Sequence, residues 1–279
     1  MPEKENEDEG KIRIMLRVRP FNSQEKSEPD RRGRCYNLDG KIISIPGSKF
    51  GEQNYKFKHI FPESSTQEEV FEKAKGLVDY SLRGYNSTIF AYGPTGSGKT
   101  YTLQGDPDKN DGIAQRSFRY LYEIINEQAN EGCEFKVSCT MVQIYYTDID
   151  DLLEKKRGAV IRIEQDNDGL VSFGGACEVV CEDFLVNGSE EIEDIFSKGR
   201  LNRVMRATDE NETSSRSHLI FTIKIEKKEC GQSDSRTGKL HFIDLAGSES
   251  LVKVGNDPRV YEEGLSINES LQCLGYVIR

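Results

Sequence analysis

The chain has 279 residues with 38 basic and 48 acidic side chains, so its formal net charge is −10. This balance, without a long basic run, argues against nucleic-acid binding through many phosphate contacts. The apolar runs fall short of the roughly 20 residues of a membrane span, and the first ten residues lack the basic and apolar parts of a secretion signal. We expect a disordered segment at residues 1–10, then one intracellular domain at residues 11–279 that binds no nucleic acid and enters no membrane.

The seven cysteines are odd in number and scattered along the chain. They fit reduced thiols better than a disulfide framework. Cys177 and Cys181 are close in sequence, but no second Cys or His pair lies at zinc-like spacing, so packing in the core or at the surface is the favoured interpretation.

The first predicted elements are a strand and a helix. Apolar and basic residues alternate over residues 12–18, which predicts a strand buried on one face and ended by Pro20. Residues 65–68 form a capping box in front of an apolar stripe at residues 70–82. This pattern predicts an amphipathic helix that ends at Gly84.

The later elements alternate between strand and helix patterns. Strands are predicted at residues 88–92, 135–141, 219–225 and 240–244, and helices at about residues 118–129 and 192–206. The apolar residues that predict the second of these helices are Ile192, Ile195, Phe196, Leu201 and Val204. A polar turn is predicted at residues 231–238. This order predicts an α/β fold with a central mixed, mainly parallel sheet flanked by helices on both faces.

The stretch GPTGSGKT, residues 93–100, matches the pattern of a phosphate-binding loop between a strand and a helix. Its glycines allow backbone N–H groups to converge on phosphate oxygens, and the following helix adds its own free donors. Lys99 would reach the β- and γ-phosphates, and Thr100 would ligate Mg²⁺. The predicted nucleotide-binding residues are Gly93, Pro94, Thr95, Gly96, Ser97, Gly98, Lys99 and Thr100.

Two further segments complete a phosphate-transfer site. Asp244 ends an apolar strand, where its carboxylate can hold Mg²⁺ through water. Gly247 follows it, and its N–H can contact a γ-phosphate only when that group is present. Residues 211–218, which start with Asn211, place hydroxyls and a guanidinium beside a strand, where they could position water and close the pocket. For His218, packing beneath this segment is favoured over proton transfer.

The segments GPTGSGKT, NETSSRSH and DLAGSE occur in this order, and with them the chain resembles the motor domain of a kinesin. The resemblance also includes LRVRP at residues 16–20, GYNSTIFAYG at residues 84–93 and INESLQCLG at residues 267–275. It covers nearly the whole chain from Ile12. It implies a kinesin-type P-loop NTPase that uses ATP and Mg²⁺ and acts on microtubules of the cytoplasmic cytoskeleton.

The resemblance also implies roles for single residues. Arg216 and Glu249 would form a salt bridge that closes the pocket and helps orient the attacking water. Ser214 and Ser215 would bind the γ-phosphate and Mg²⁺. Four residues would lie near the adenine: Arg17, Arg19, Pro20 and Tyr101. Hydrolysis would then be coupled to movement, on a microtubule, of a helix that begins near Ser266.

Three features depart from the family pattern. Pro94 stands where kinesins usually have Gln, with little expected effect on the loop. Ser250, Leu265 and Glu269 stand where family members commonly carry lysines, which should weaken attraction to an acidic filament. The family's Tyr-Asn-Glu after a strand is Tyr-Tyr-Thr here, at residues 145–147. The nucleotide site therefore follows the pattern more closely than the track-binding face does.

Other interpretations stay open. One is a nucleotide-regulated protein that binds microtubules or tubulin but does not walk along them. The reason to consider it is that basic residues are few in the region where family members contact tubulin. Another is a GTPase, although the chain lacks an N/T-K-x-D segment for reading guanine. Because kinesin motors continue past the residue matching Arg279, we expect a motor domain incomplete at its C-terminus. Residues 141–145 and 238–240 are most similar to minus-end-directed kinesins with a C-terminal motor.

Overall fold

The computed structural model describes residues 12–27, 36–48, 51–106, 109–154, 160–165, 171–209, 215–249 and 258–278. The chain divides into two compact units, one formed by residues 1–66 with 278–279 and the other by residues 67–277. The segment at residues 1–10 that we predict to be disordered lies outside the described residues. The one-domain interpretation of residues 11–279 stays a prediction.

The first unit contains two small sheets and a short helix. Its elements are β1 (Met15–Arg17), α1 (Ser23–Ser27), β2 (Asn37–Asp39), β3 (Ile42–Ser48), β4 (Gly51–Lys56) and β5 (His59–Phe61). β1 pairs in parallel with β5, and β2, β3 and β4 form an antiparallel sheet.

The strand predicted at residues 12–18 is confirmed only at its centre, as β1. The expected buried face is wrong for Ile12 and Ile14, which are 52% and 53% exposed. Among the described strands β1 pairs with β5 alone, and a two-stranded sheet covers little of either face. Alternation in the sequence therefore identified the strand but not its surroundings.

The second unit contains the remaining elements. They are α2 (Gln67–Leu82), β6 (Asn86–Ala91), α3 (Lys99–Gln104), β7 (Gly105–Asp106), β8 (Asn110–Asp111), α4 (Ile113–Asn130), β9 (Glu134–Tyr145), β10 (Asp148–Asp151), β11 (Arg162–Gln165), β12 (Val171–Gly174), β13 (Val179–Cys181), α5 (Phe184–Asn187), α6 (Glu190–Asp209), β14 (His218–Lys228), β15 (Ser235–Asp244) and α7 (Pro258–Ile278). Each strand and helix predicted from residue 70 onward has a counterpart here. The polar turn is shorter than predicted, because residues 235–238 belong to β15.

A mixed six-stranded sheet forms the centre of the second unit, in the order β10-β9-β14-β15-β6 with β13 also paired to β9. Its mixed character is as predicted, but the expectation of a mainly parallel sheet is wrong. Among the described strand pairs of this sheet only β15–β6 is parallel. Short connections account for two of the four antiparallel pairs, because β9–β10 and β14–β15 are hairpins and consecutive strands joined by a short loop run antiparallel.

Helices contact both faces of this sheet, as predicted. On one face the ring of Phe221 in β14 lies 5.6 Å from Phe118 of α4 and 4.9 Å from Phe196 of α6, measured between ring centroids. His218 of β14 points to the opposite face, because side chains alternate along a strand. There its imidazole contacts Ser270 of α7. The aromatic residues of α4, α6, β14 and β15 thus form the core above the first face.

The buried face of α6 includes only some of the apolar residues that predict this helix. Leu201 and Val204 belong to that pattern but are 66% and 61% exposed. The buried positions of α6 include Ile192, Phe196, Gly199 and Arg203. These positions repeat every three to four residues and so share one side of a helix. Leu201 and Val204 lie outside this buried side of the helix.

The helix after the phosphate loop is interrupted. α3 has six residues, and the β7–β8 pair separates it from α4. Gly105 has φ 72° at this break, and a Cβ there would collide with the carbonyl of Asn110. The close backbone approach therefore requires glycine. The helical pattern predicted at residues 118–129 corresponds to α4 alone.

The turn between β9 and β10 is strained at Tyr146. Asp148 pairs with Tyr145, so only two residues form the turn, and Tyr146 has φ 62°. Left-handed backbone is unfavourable for a residue with a bulky side chain, while Asn and Gly tolerate it in such turns. The aromatic residue that departs from the family pattern therefore occupies a position suited to Asn.

We expect Tyr146→Asn to stabilise the chain by about 0.5–1 kcal/mol, because Asn relieves the left-handed strain. The free energy of unfolding in urea measures this. Thr147→Asn is the matched control, since Tyr146 is the only non-glycine residue with positive φ among those described, and it should change stability by less. Equal effects of the two substitutions would contradict the role of the backbone angle.

Candidate nucleotide site

The phosphate loop connects β6 to α3, as the sequence predicts. Three of its glycines have positive φ: 155° at Gly93, 77° at Gly96 and 96° at Gly98. A Cβ at Gly93 would lie 2.7 Å from Ser97 Oγ. The glycine spacing of the motif therefore corresponds to left-handed backbone positions and one tight contact within the loop.

The ammonium group of Lys99 lies over the loop. Its Nζ donates hydrogen bonds to the carbonyls of Gly93 at 2.9 Å and Pro94 at 3.1 Å. Burial lowers the pKa of Lys99, and the nearby carboxylates of Asp244 and Glu249 oppose that shift. The side chain is thus held at the loop, where a bound phosphate could replace the carbonyl oxygens as its partner.

Asp244 is the centre of the site. It ends β15 beside β6 and is 4% exposed. Its Oδ2 accepts hydrogen bonds from Thr100 Oγ1 at 2.7 Å and Gln104 Nε2 at 3.1 Å, and lies 3.7 Å from Arg203 Nη1. Its Oδ1 is buried without a hydrogen-bond partner among the described residues. A buried carboxylate oxygen next to the hydroxyl of Thr100 fits a hard cation such as Mg²⁺.

Arg203 is the residue of this site that the sequence interpretation missed. It is 7% exposed, and its guanidinium donates to the carbonyl and hydroxyl of Ser217 at 3.0 and 3.1 Å. Burial lowers the pKa of Arg203, and the carboxylate of Asp244 opposes that shift. Helical spacing from Ile192 and Phe196 would have placed Arg203 in the core, where a charge needs a partner.

The backbone after Asp244 is bonded to the phosphate loop and to the serine-rich segment. Ser248 N–H donates to the Gly93 carbonyl at 3.1 Å, and Gly247 N–H donates to the Ser215 carbonyl at 2.8 Å. A Cβ on Gly247 would collide with the hydroxyl of Thr95. The predicted residues Gly93, Ser215 and Gly247 thus lie close together. Close packing against Thr95 explains why residue 247 is a glycine.

Glu249 contacts the phosphate loop directly. Its Oε2 accepts a hydrogen bond from Thr95 N–H at 2.9 Å, and its Oε1 accepts one from Thr95 Oγ1 at 2.5 Å. Partial burial alone would raise the pKa of Glu249, but the hydrogen bonds from Thr95 and the charge of Lys99 outweigh it and lower the pKa. The carboxylate is therefore ionised near neutral pH in this contact.

Other predicted residues are not tested by these contacts. Asn211 and Ser214 lie outside the described residues. Arg216 is described, and its salt bridge with Glu249 stays a prediction. Tyr101 lies in α3 and is 41% exposed, and stacking of its ring on an adenine stays a prediction.

The remaining adenine candidates belong to the first unit. Arg17 ends β1, and Pro20 follows it in the chain. Arg19 forms an ion pair with Glu25 at 2.6 Å, which raises the pKa of Arg19. Contact of Arg17, Arg19 and Pro20 with a nucleotide stays a prediction.

The architecture and the ordered motifs agree with a comparison to protein families. A model of the kinesin motor domain matches residues 17–279. The chain belongs to the kinesin motor-domain family. The predicted resemblance is thereby confirmed over nearly the whole chain.

Individual kinesins are similar to the chain at moderate identity. Kinesin-like protein KIN-14I of Oryza sativa subsp. japonica is 36% identical over 271 residues, which cover 96% of this chain and 21% of the relative. Kinesin heavy chain isoform 5A of Pongo abelii is 36% identical over 278 residues, which cover 98% of this chain and 26% of the relative. A solved structure of a fast kinesin has a TM-score of 0.82 and 32% identity, and the match covers 95% of this chain and 73% of that one.

The chain matches only a part of each of these curated kinesins. It spans about a quarter of their length, 21% and 26% for the two named above. Their equal identity does not separate the kinesin types, so assignment to the minus-end-directed kinesins stays a prediction. Among the described residues no helix is long and apolar enough to cross a membrane.

Proposed function

We propose that the chain is an ATP-hydrolysing motor domain that acts on microtubules in the cytoplasm. The observation that carries the proposal is the Asp244 carboxylate, which lies beside the phosphate loop with one oxygen bonded to Thr100 and the other buried without a described partner. This arrangement suits a magnesium–nucleotide complex. ATP is favoured over GTP because the sequence has no N/T-K-x-D segment.

The phosphate loop, Lys99 and Thr100 would hold the polyphosphate and its Mg²⁺, together with Asp244 and Ser215. When bound, Mg²⁺ neutralises charge on the phosphate oxygens. In the proposed reaction a water oxygen bonds to the γ-phosphorus while the bond to the β–γ bridging oxygen breaks, which yields ADP, phosphate and a proton. Arg216, Asn211 and Ser214 complete the proposed catalytic set and would help position that water with Glu249.

The contact between Thr95 and Glu249 supports a switch between two arrangements. Glu249 and Gly247 lie against Thr95, at the edge of the loop proposed to hold the terminal phosphates. A γ-phosphate would compete for the same N–H donors, since an anion favours backbone amides. Binding and loss of that group would therefore move residues 247–249, which is the differential interaction that a conformational switch requires.

The charge of the last segment favours a second candidate function. Residues 250–279 contain three basic and four acidic side chains, so attraction to an acidic filament is weak. This would suit a nucleotide-regulated microtubule or tubulin binder that does not walk. Both candidates use the same nucleotide site and differ in whether the polymer accelerates ATP turnover.

Phosphate release from ATP, with and without microtubules, tests the proposal. We expect measurable turnover by the chain alone and an increase on addition of microtubules. Absence of an increase, with turnover retained, would favour the second candidate. No turnover in either condition would contradict the proposed enzyme activity. Equal competition by GTP would favour the GTPase interpretation.

A matched pair of substitutions tests the metal ligand. Thr100→Val keeps the side-chain shape but removes the hydroxyl, and we expect turnover to fall about 100-fold, the upper range for disturbing a metal site. Thr100→Ser keeps the hydroxyl and should stay within about threefold of the original chain. Steady-state turnover at saturating Mg²⁺ measures both. A Thr100→Val chain within tenfold of the original would exclude this role for Thr100.

A further inference from the structure

His218 bridges two elements of the second unit. Its Nδ1 accepts a hydrogen bond from the N–H of Ala246 at 3.1 Å, and Ala246 lies between Asp244 and Gly247. On the other side of the ring, Nε2 lies 2.9 Å from Ser270 Oγ in α7. One imidazole therefore connects the backbone after Asp244 to the helix.

The donor directions along this chain of bonds are determined. Ala246 N–H is a donor, so Nδ1 must accept and the ring proton is on Nε2. Ser270 Oγ donates to the carbonyl of Ile267 at 2.7 Å, so its oxygen can accept from Nε2–H. Each group donates once along the path, which ends in the backbone of α7. Ala246 is fully buried, and an unpaired N–H there would be costly.

We propose that His218 is a positioning residue that transmits displacement of residues 244–249 to α7 through its neutral imidazole and Ser270. This inference deepens the proposed function and rests on it, because it names the path by which the nucleotide site regulates polymer-dependent turnover. His218 does not transfer a proton in this role. The ring is short and rigid between two bonded groups, so a shift of Ala246 displaces Ser270 or breaks one bond.

Two substitutions of His218 separate the two bonds. His218→Asn keeps an acceptor close to the position of Nδ1 and loses the donor toward Ser270. His218→Gln keeps a donor close to the position of Nε2 and loses the acceptor for Ala246. Ser270→Ala removes the partner in α7 at an exposed position, where it should not disturb folding. All three variants leave the phosphate loop and its ligands unchanged.

Turnover with and without microtubules is the first readout. We expect basal turnover of each single variant to stay within about twofold of the original chain. The microtubule-stimulated rate should fall about three- to tenfold, which corresponds to the loss of one hydrogen bond. The loss should appear in the stimulated kcat, with a smaller change in the microtubule concentration at half-maximal rate. The double variant His218→Asn with Ser270→Ala should be no worse than either single variant.

Unchanged stimulation in Ser270→Ala and His218→Asn would overturn the inference while the proposed function stands. Losses that multiply in the double variant would overturn it as well. If the original chain shows no stimulation, the proposed function itself fails. In that case the bond between His218 and Ser270 is tested by the free energy of unfolding in urea, measured for the two single variants and the double variant. Additive losses of stability would show that the two side chains are not coupled.

Discussion

Arg203→Met is expected to lower the free energy of unfolding by about 3–5 kcal/mol, because it leaves a buried charge without its partner. Arg203 and Asp244 are 7% and 4% exposed, and the guanidinium also holds the carbonyl and hydroxyl of Ser217. Met has a similar length but cannot donate a hydrogen bond. Urea unfolding followed by circular dichroism measures the change.

Two variants control this experiment. Leu201→Met changes an exposed position on the same helix and should alter stability by less than about 0.5 kcal/mol. Adding Asp244→Asn to Arg203→Met removes the unpaired charge, so part of the lost stability should return. A single Arg203→Met variant within about 1 kcal/mol of the original chain would show that the pair is not important for stability.

Phe118→Ala is expected to destabilise the chain by about 3–5 kcal/mol, the range for truncating a buried aromatic ring. Phe118 is fully buried, and its ring centroid lies 5.5 Å from Phe196, 5.6 Å from Phe221 and 5.8 Å from Phe242. All three contacts are edge-on, a favourable geometry for aromatic rings. Removing the ring opens a cavity between two helices and two strands, which thermal or urea unfolding will report.

The size of the cavity can be varied at the same position. Phe118→Leu keeps most of the apolar volume and should cost less than half as much as Phe118→Ala. Tyr85→Ala truncates an aromatic ring that is 63% exposed and should change stability by less than about 1 kcal/mol. Similar losses for Phe118→Ala and Tyr85→Ala would mean that the aromatic cluster does not carry the stability of this core.

Much of the nucleotide site was predictable because its residues act through the local backbone. The glycines at 93, 96 and 98 have positive φ in the loop between β6 and α3, and local conformation depends mainly on nearby residues. Thr100 Oγ1 and Asp244 Oδ2 lie 2.7 Å apart because Thr100 is in the first turn of α3, after β6, and Asp244 ends the neighbouring strand β15. Motif spacing was sufficient to predict both segments.

Other features depended on partners distant in sequence. Arg203 contacts Asp244 across 41 positions, and no local pattern relates them. The contact of Glu249 with Thr95 likewise joins two loops that the sequence interpretation treated separately. Arg203 can be assigned to the site only when it is known which side of α6 faces the sheet and that β15 ends opposite it at Asp244.

The amino-acid sequence by itself determined the family, the phosphate loop and seven elements of the second unit (α2, β6, α4, β9, α6, β14 and β15), because hydrophobic period and glycine positions act over a few residues. Only the tertiary structure decided that the central sheet is largely antiparallel, that Arg203 pairs with Asp244, and that His218 joins Ala246 to Ser270. Strand direction and helix orientation depend on which distant surfaces pack together, and that choice minimises buried unpaired groups across the whole unit.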